Sequence, residues 1–161
     1  MKLAASSLKF LPMIWICKTF DELSPHELYA ILRLRSEVFV VEQNCVFQDI
    51  DGKDAGVHHL MGWEDHKLIA YARIMGPGIS YVEASIGRIV TSPGSRRKGI
   101  GKELMQQSIG KLYALHGKTV IRIGAQYYLK NFYESFGFLQ MGKNYLEDGI
   151  EHIEMCLFIK P

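Results

Sequence analysis

The sequence predicts a three-layer α+β domain over residues 13–161, with helices on both faces of a partly antiparallel sheet. Short runs rich in β-branched residues alternate with longer segments of helical period. Two of the strand runs follow each other across a tight turn, which indicates an antiparallel pair. The chain of 161 residues shows no repeat, linker or low-complexity tract. These observations together favour one domain of the mixed α+β class.

The chain begins with a segment that is expected to lie outside the fold. Residues 1–12 are predicted to be a loose extension, because a lysine interrupts their apolar run and no signal cleavage site follows. Met13–Cys17 is predicted to be the first strand. Ser24–Glu27 then supplies an N-cap serine, a proline at the first helical position and a glutamate that closes a capping box. Apolar residues at intervals of three and four carry this helix to about Val38.

An acidic loop and a hairpin come next. The three aspartates of Gln48–Gly56 do not have the spacing of a calcium-binding EF-hand, so a solvated loop is expected. Val57–Glu64 and Lys67–Met75 are predicted to be strands, and Asp65-His66 between them has the length of a tight hairpin turn.

The central stretch of the chain is a strand, a loop and a helix. Ala84–Thr91 has the composition of a buried strand, and Ser92–Ser95 that of a turn. Arg96–Gly101 opens a helix of regular apolar spacing that Gly117 ends. A glycine-bearing loop that enters a helix offers unpaired backbone N–H groups and the positive end of the helix dipole. The expected ligand is therefore a phosphate or pyrophosphate.

The glycine spacing of this loop excludes two common phosphate motifs. Gly94 and Gly99 have the separation of a Walker loop, but Ile-Gly follows where Lys-Ser/Thr is needed. The dinucleotide fingerprint fails because leucine stands where its third glycine belongs. What remains is the pattern Arg/Gln-x-x-Gly-x-Gly/Ala, matched by Arg96, Gly99 and Gly101.

The last third of the chain adds three strands and a short helix. Thr119–Gly124 is β-branched and reads as a strand, and Tyr127–Phe136 is a short aromatic helix that Gly137 terminates. Phe138–Gly142 and Ile150–Ile159 are predicted to be the final strands, the second with alternating apolar residues.

Composition limits the classes of function. An apolar content of 48%, a charged content of 22% and a net charge of +2 are ordinary for a soluble globular protein. The three cysteines are widely spaced and form no C-x-x-C pair, so reduced thiols in the cytoplasm are expected. No run approaches the roughly 18 apolar residues of a membrane-spanning helix. No histidine and cysteine cluster has metal-ligand spacing, and we expect no metal.

The order of these motifs resembles that of the GNAT superfamily of acyl-CoA-dependent N-acyltransferases. Arg96–Gly101 resembles the pyrophosphate loop of that superfamily, and Asn131–Phe138 resembles its aromatic FYExxGF segment. Over roughly residues 31–155, several segments are similar to the ElaA-like branch. They are Leu34–Gln43, Ile86–Pro93, Ile121–Gln126 and Tyr145–Ile150.

The resemblance implies a mostly antiparallel sheet of six or seven strands, flanked by about four helices. Ala84–Thr91 and Thr119–Gly124 would be parallel strands that splay apart and admit the pantetheine arm of acetyl-CoA. Ile89, Val90 and Thr91 would offer backbone groups to pantetheine. The other implied cofactor-binding residues are Arg96, Arg97, Lys98, Gly99, Ile100, Gly101 and Asn131.

The resemblance also implies an activity, the transfer of an acetyl group from acetyl-CoA to a primary amine. By its position in the aromatic segment, Tyr133 is the candidate general acid for the departing thiolate. Glu83, just before the central strand, is the candidate general base. The rival bases and acceptor-side residues are Glu42, His58, His59 and Arg88. Arg88 needs a partner for its charge, for which Glu42 and a bound carboxylate are the candidates.

Other functions remain open at this point. A CoA-binding sensor or inactive relative would keep the loop without the chemistry. Arg35–Gln43 loosely resembles a segment of acyl-homoserine-lactone synthases. The basic residues of the loop are better explained by CoA phosphates than by nucleic acid, and no membrane partner is expected. The acceptor and the oligomeric state are not specified, and a homodimer is one of the assemblies that the sequence allows.

Overall fold

The computed structural model describes residues 12–160. The predicted loose extension therefore lies outside the described residues, apart from Pro12. The structure contains seven strands: β1 Ile14–Thr19, β2 His58–Glu64, β3 Lys67–Met75, β4 Ala84–Thr91, β5 Ile121–Gln126, β6 Leu139–Glu147 and β7 Ile150–Leu157. The helices are α1 Pro25–Arg35, a π-helical segment Ser36–Glu42, α2 Ile100–His116 and α3 Lys130–Glu134.

The strands form one mixed sheet in the order β1-β2-β3-β4-β5-β7-β6. β4 and β5 are parallel, and the other neighbouring strands are antiparallel. Helix α1 covers one face with Ile31 and Leu34. Helix α2 packs on the other face with Leu104 and Leu112, where Tyr133 of α3 joins the same core. This arrangement confirms the predicted mixed sheet with helices on both faces.

Local sequence signals locate the start of α1 and the turn between β2 and β3. The Ser24 side chain accepts a hydrogen bond from the Glu27 backbone N–H, and the Glu27 carboxylate accepts one from the Ser24 backbone N–H. Asp65 and His66 have φ of 46° and 62°, the left-handed conformation of a type I′ hairpin turn. Both features agree with the sequence prediction.

The first helical region extends further than the sequence predicts. The expected end was near Val38, but the chain continues as the π-helical segment to Glu42. A five-residue hydrogen bond, from the Gln43 N–H to the Val38 carbonyl at 3.2 Å, marks the wider turn. Apolar residues in such a wide turn no longer recur at intervals of three and four. The sequence pattern therefore did not predict the π-helical segment.

Strand β6 is longer than the predicted Phe138–Gly142. Its register is interrupted between Met141 and Tyr145, and pairing with β7 then resumes as far as Glu147. The strand lies at the edge of the sheet and most of its residues are exposed. Its polar composition therefore resembles that of a loop.

Candidate active site

The parallel strands β4 and β5 separate soon after they meet. Only Ala84 with Ile121 and Ser85 with Arg122 are paired. Both strands then continue, to Thr91 and to Gln126, without pairing to each other. The predicted splay is confirmed, and it leaves a wedge between two strand backbones within a continuous sheet.

A β-bulge in β4 lies beside this wedge. Tyr71 of β3 pairs with Val90, and Arg73 pairs with Gly87, so Arg88 and Ile89 both lie opposite Ala72. Arg88 has φ of 50°, a left-handed conformation that is rare inside a strand. Bulges bend a strand and increase its twist. The bulge therefore turns the second half of β4 away from the direction of β5.

The wedge opens into a cavity of about 870 Å³, within the range of small-molecule sites. Its walls come from β4, the π-helical segment, the acidic loop, the end of β5, the aromatic segment around α3 and the β6–β7 hairpin. The predicted site residues that line it are Glu42, Arg88, Ile89, Val90, Thr91, Arg96, Gly101 and Tyr133. Those outside its lining are Glu83, His58, His59, Arg97, Lys98, Gly99, Ile100 and Asn131.

The two glycines at the start of α2 have different structural roles. Gly99 precedes the helix with φ of +78°, a conformation that favours glycine. At Gly101, the nearest atom to an added Cβ is Phe132 Cζ at 3.9 Å, so the position is open towards the cavity. No side chain in the described residues caps this helix start. Its first N–H groups are available to an anion.

An ion pair links the basic loop to the π-helical segment. Arg96 Nη1 lies 2.7 Å from Glu42 Oε1, and both side chains are about 40% exposed. Exposed pairs of this kind contribute only about 0–1 kcal/mol. An incoming phosphate can therefore replace Glu42 as the partner of Arg96 at little cost.

Tyr133 lies in the cavity wall and is surrounded by apolar side chains. Its side chain is buried among aromatic rings, with the Phe132 centroid at 5.1 Å and the Phe138 centroid at 6.1 Å. Burial, and secondarily the nearby Tyr128, raise the pKa of Tyr133 above that of a free phenol. The hydroxyl is therefore protonated at neutral pH and can act as a proton donor.

Three of the predicted base candidates are not presented to the cavity. Glu83 forms an ion pair with Arg122, with Oε2 to Nε at 3.2 Å. His59 is fully buried, with Nε2 bonded to the Asp54 carbonyl at 2.9 Å and Nδ1 to the Tyr71 hydroxyl at 2.8 Å. Burial also lowers the pKa of His59. The neighbouring His58 faces His116, with ring centroids 6.3 Å apart. These contacts hold the three side chains away from the wedge.

The acidic loop is mostly exposed, as the sequence predicts, but two of its aspartates are not solvated. Asp49 and Asp54 are buried, and their carboxylates bind the fully buried Arg35 at 2.9 and 2.8 Å. Arg73 binds Asp51 through two hydrogen bonds, of 2.7 and 2.8 Å. Together with Arg88, these residues form an arginine–aspartate cluster that fastens the loop to the sheet.

The partner of Arg88 also differs from expectation. Its Nε lies 2.8 Å from Asp49 Oδ1, so the counter-charge is Asp49 rather than Glu42 or a bound carboxylate. The Arg88 guanidinium also lies 5.7 Å from the centre of the Phe47 ring. Arg88 and Asp49 are 39 residues apart in the chain, and spacing arguments could not have paired them.

Arg35 and Arg73 keep Asp54 and Asp51 ionised. Burial by itself would raise the pKa of Asp54, but the hydrogen bond and charge of Arg35 outweigh it and lower the pKa. The hydrogen bonds from Arg73 likewise hold the pKa of Asp51 well below its usual range. These two carboxylates therefore pair with the arginines as anions.

The cavity also contains residues that sequence reasoning missed. Glu147 and His152 reach it from the β6–β7 hairpin. The sequence-derived resemblance included Tyr145–Ile150, yet nothing in the spacing connected that segment with Tyr133 or β4. Within residues 12–160, no group of three or more histidine, cysteine or acidic side chains is placed to hold a metal ion. No helix in that range is long and apolar enough to span a membrane.

Comparison with known proteins is consistent with this geometry. The model of the acetyltransferase (GNAT) domain matches residues 21–158. Protein ElaA of Escherichia coli K12 is 43% identical over 138 residues, which cover 84% of this chain and 90% of ElaA. The crystal structure of E. coli ElaA has a TM-score of 0.84 and covers 90% of this chain and 99% of that chain.

Two further solved structures have the same fold. An acyl-CoA N-acyltransferase from Pseudomonas aeruginosa is 41% identical with a TM-score of 0.86, covering 90% of this chain and 99% of its own. The AHL synthase LasI has a TM-score of 0.72 at 15% identity, covering 90% of this chain and 92% of its own. At that identity, the likeness to LasI concerns the fold alone.

Proposed function

The chain belongs to the GNAT acetyltransferase family, and on this premise we propose that it transfers an acetyl group from acetyl-CoA to a primary amine. The observation that carries the proposal is the wedge between β4 and β5, which shares one cavity with Gly101 at the start of α2 and with Tyr133. An extended amide chain that ends in a pyrophosphate fits such a combination of unpaired strand edges and helix N–H groups.

Acetyl-CoA would be held mainly by backbone. Ile89, Val90 and Thr91 face the wedge and would hydrogen-bond to the pantetheine amides. The N–H groups of residues 97–101 would hold the pyrophosphate, with Arg96 adding charge after it leaves Glu42. Asn131, which directly precedes Phe132 in α3, would lie beside the pantetheine arm.

The reaction would be a direct attack in a ternary complex. A backbone N–H near Ile89 or Val90 would polarise the thioester carbonyl. The uncharged amine attacks the carbonyl carbon, the C–N bond forms, and the C–S bond breaks with its electrons on sulfur. Tyr133 would give its proton to the thiolate, because it is protonated and lines the cavity.

The cysteines at 17, 45 and 156 are free thiols, and we assign the protein to the cytoplasm on that basis.

Turnover tests this proposal directly. Acetyl-CoA should release free thiol in the presence of one or more members of a panel of small amines, amino acids, an aminoglycoside and peptide N-termini. Binding of CoA without thiol release on any member of the panel would instead indicate a CoA-binding relative without acyl transfer.

Ligand-dependent stability distinguishes CoA from other nucleotides. CoA or acetyl-CoA should raise the melting temperature, since ligand at about 100 times its dissociation constant adds roughly 2.7 kcal/mol to the free energy of unfolding. ATP and NAD should add far less, because the loop matches neither of their fingerprints. Differential scanning fluorimetry measures the shift, and equal stabilisation by ATP would contradict the assignment.

Gly101→Val should abolish CoA binding while the domain stays folded. A valine Cβ at this position meets no protein atom closer than 3.9 Å, but it occupies the space that a pyrophosphate would approach. Valine in a helix is no less favourable than glycine, so the helix itself tolerates the change. Gly110→Val is the matched control, because Gly110 lies in the same helix with no atom within 4 Å of an added Cβ and lies outside the cavity lining. Calorimetry measures the binding of CoA to both variants. Normal CoA binding by a folded Gly101→Val variant would exclude pyrophosphate binding at this helix start.

A further inference from the structure

The β6–β7 hairpin brings an imidazole and a carboxylate to the cavity. Its turn, Asp148-Gly149, has φ of 49° and 77°, as a type I′ turn requires. In the ladder, Glu147 pairs with Ile150, and Tyr145 pairs with His152. Glu147 and His152 both line the cavity that contains Tyr133. The hairpin therefore places Glu147 and His152, together with Asp148 at its turn, where an acceptor can reach them.

Backbone and side-chain contacts fix the orientation of the His152 ring. Nδ1 lies 2.8 Å from the Ile150 carbonyl oxygen. A carbonyl only accepts hydrogen bonds, so Nδ1 carries the hydrogen and Nε2 has the lone pair when the ring is neutral. The Tyr145 ring stacks on the imidazole, with centroids 5.8 Å apart and an interplanar angle of 27°. The ring is therefore held with Nδ1 bonded to the backbone, while Nε2, the basic nitrogen, takes no part in that hydrogen bond.

Glu147 stands beside this basic nitrogen. Its Oε2 lies 3.7 Å from His152 Nε2, longer than a hydrogen bond, and its side chain is 59% exposed. The carboxylate attracts a cation and also stabilises the imidazolium that forms when Nε2 takes a proton. In the same cavity, Glu42 is paired with Arg96 and Asp51 with Arg73. Those two carboxylates already have cationic partners.

We infer that His152 is the general base of the reaction and that Glu147 binds the ammonium group of the acceptor. This inference rests on the proposed acyl transfer. The ammonium group first gives one proton to Nε2, which makes the nitrogen nucleophilic. After the C–N bond has formed and the C–S bond has broken, the second proton leaves the nitrogen and replaces the proton that Tyr133 gave to the thiolate. The proton on His152 passes to solvent, so the products are amide, thiol and one proton.

A pair of amines of nearly equal shape tests the role of His152. Ethylamine is almost wholly protonated at neutral pH, whereas methoxyamine, in which oxygen replaces one methylene, is uncharged. His152→Gln should lower kcat/KM for ethylamine by roughly 10²- to 10⁴-fold, the usual contribution of general base catalysis. For methoxyamine, the same variant should stay within a few-fold of the parent, because no proton has to be removed before attack. His26→Gln, on the exposed first turn of α1, is the matched control and should resemble the parent with both amines.

The substitution Glu147→Gln tests the ammonium site separately. It should raise KM for ethylamine by roughly two- to fivefold, as expected for one exposed charge pair. It should leave KM for methoxyamine unchanged, because that amine has no charge to attract. The dissociation constant of CoA, measured on the same preparations, should match the parent for both variants.

The outcomes separate this inference from the proposed function. An equal loss on both amines in His152→Gln would mean that the ring only supports the hairpin, and it would overturn the assignment of the base. If the parent acetylates ethylamine and His152→Gln is equally active, the assignment of His152 as the base is also overturned. The proposed function would stay intact in that case. A parent that binds CoA but acetylates neither these two amines nor any other member of the amine panel would overturn both.

Discussion

Tyr133→Phe should lower kcat by roughly 10²- to 10⁴-fold, the usual contribution of general acid catalysis, while CoA binds as tightly as before. The substitution removes a single hydroxyl. The ring that packs against Phe132 and Phe138 is kept, so the cavity wall keeps its shape. Because burial raises the pKa of Tyr133, the parent hydroxyl is protonated at neutral pH and available to the thiolate.

The measurement is kcat with the best acceptor from the amine panel, under conditions where chemistry limits the rate. Tyr127→Phe is the matched control, because Tyr127 precedes α3 in the same aromatic segment but lies outside the cavity lining. Unchanged kcat in Tyr133→Phe would rule out the acid role and leave packing as the function of the ring. A loss of a few-fold would mean that water protonates the thiolate when the phenol is absent.

Arg35→Met should destabilise the fold by about 3 kcal/mol, the lower end of the cost of breaking a buried ion pair, because Asp49 keeps Arg88 and Asp54 keeps Arg73 as a second partner. Arg35 is fully buried and binds both Asp49 and Asp54, which are themselves buried. Methionine fills much of the same space but provides no donor. The acidic loop would then lose the contact that ties it to α1, and with it one wall of the cavity.

Urea unfolding followed by circular dichroism measures this loss. Arg33→Met, on the exposed side of the same helix, should change stability by no more than about 0.5 kcal/mol. Arg35→Lys keeps the charge but not the fork of donors, so it should lie between the parent and Arg35→Met. A decrease below about 1 kcal/mol in Arg35→Met would show that the cluster contributes little to stability.

The same cluster predicts sensitivity to acid. The folded pKa values of Asp51 and Asp54 are lowered, which means that both groups stabilise the fold above the ordinary aspartate value of about 3.9. That contribution is lost as the pH falls below 3.9 through the folded values. Since Arg35→Met removes the closer of the two arginine partners of Asp54, Arg35 at 2.8 Å rather than Arg73 at 3.2 Å, the stability difference between this variant and the parent should shrink in the same range of pH.

Local signals in the sequence determined several elements. The capping box at Ser24–Glu27 starts α1, and the two-residue turn at Asp65-His66 fixes the register of β2 against β3. The pattern of Arg96, Gly99 and Gly101 predicts a phosphate-binding loop from the sequence alone. Each of these depends on residues within a few positions of one another, where backbone geometry and hydrogen bonding are decided locally.

Contacts between distant segments determined the rest. Asp49 and Arg88 are 39 residues apart, and the sequence predicted a solvated loop although Asp49 and Asp54 within it are buried against Arg35. Glu83 and His59 were candidate site residues, but the structure pairs Glu83 with Arg122 and buries His59 in the core.

The same holds for the hairpin residues Glu147 and His152, which enter the cavity because β7 pairs with β5. By itself, the sequence determined the family, the start of α1 and the tight turn, all of which are encoded in short stretches of chain. Only the tertiary structure decided which charges are buried, which strand edges are left open and which side chains share the cavity. Burial and strand pairing depend on segments that are far apart in the chain, and no local pattern specifies them.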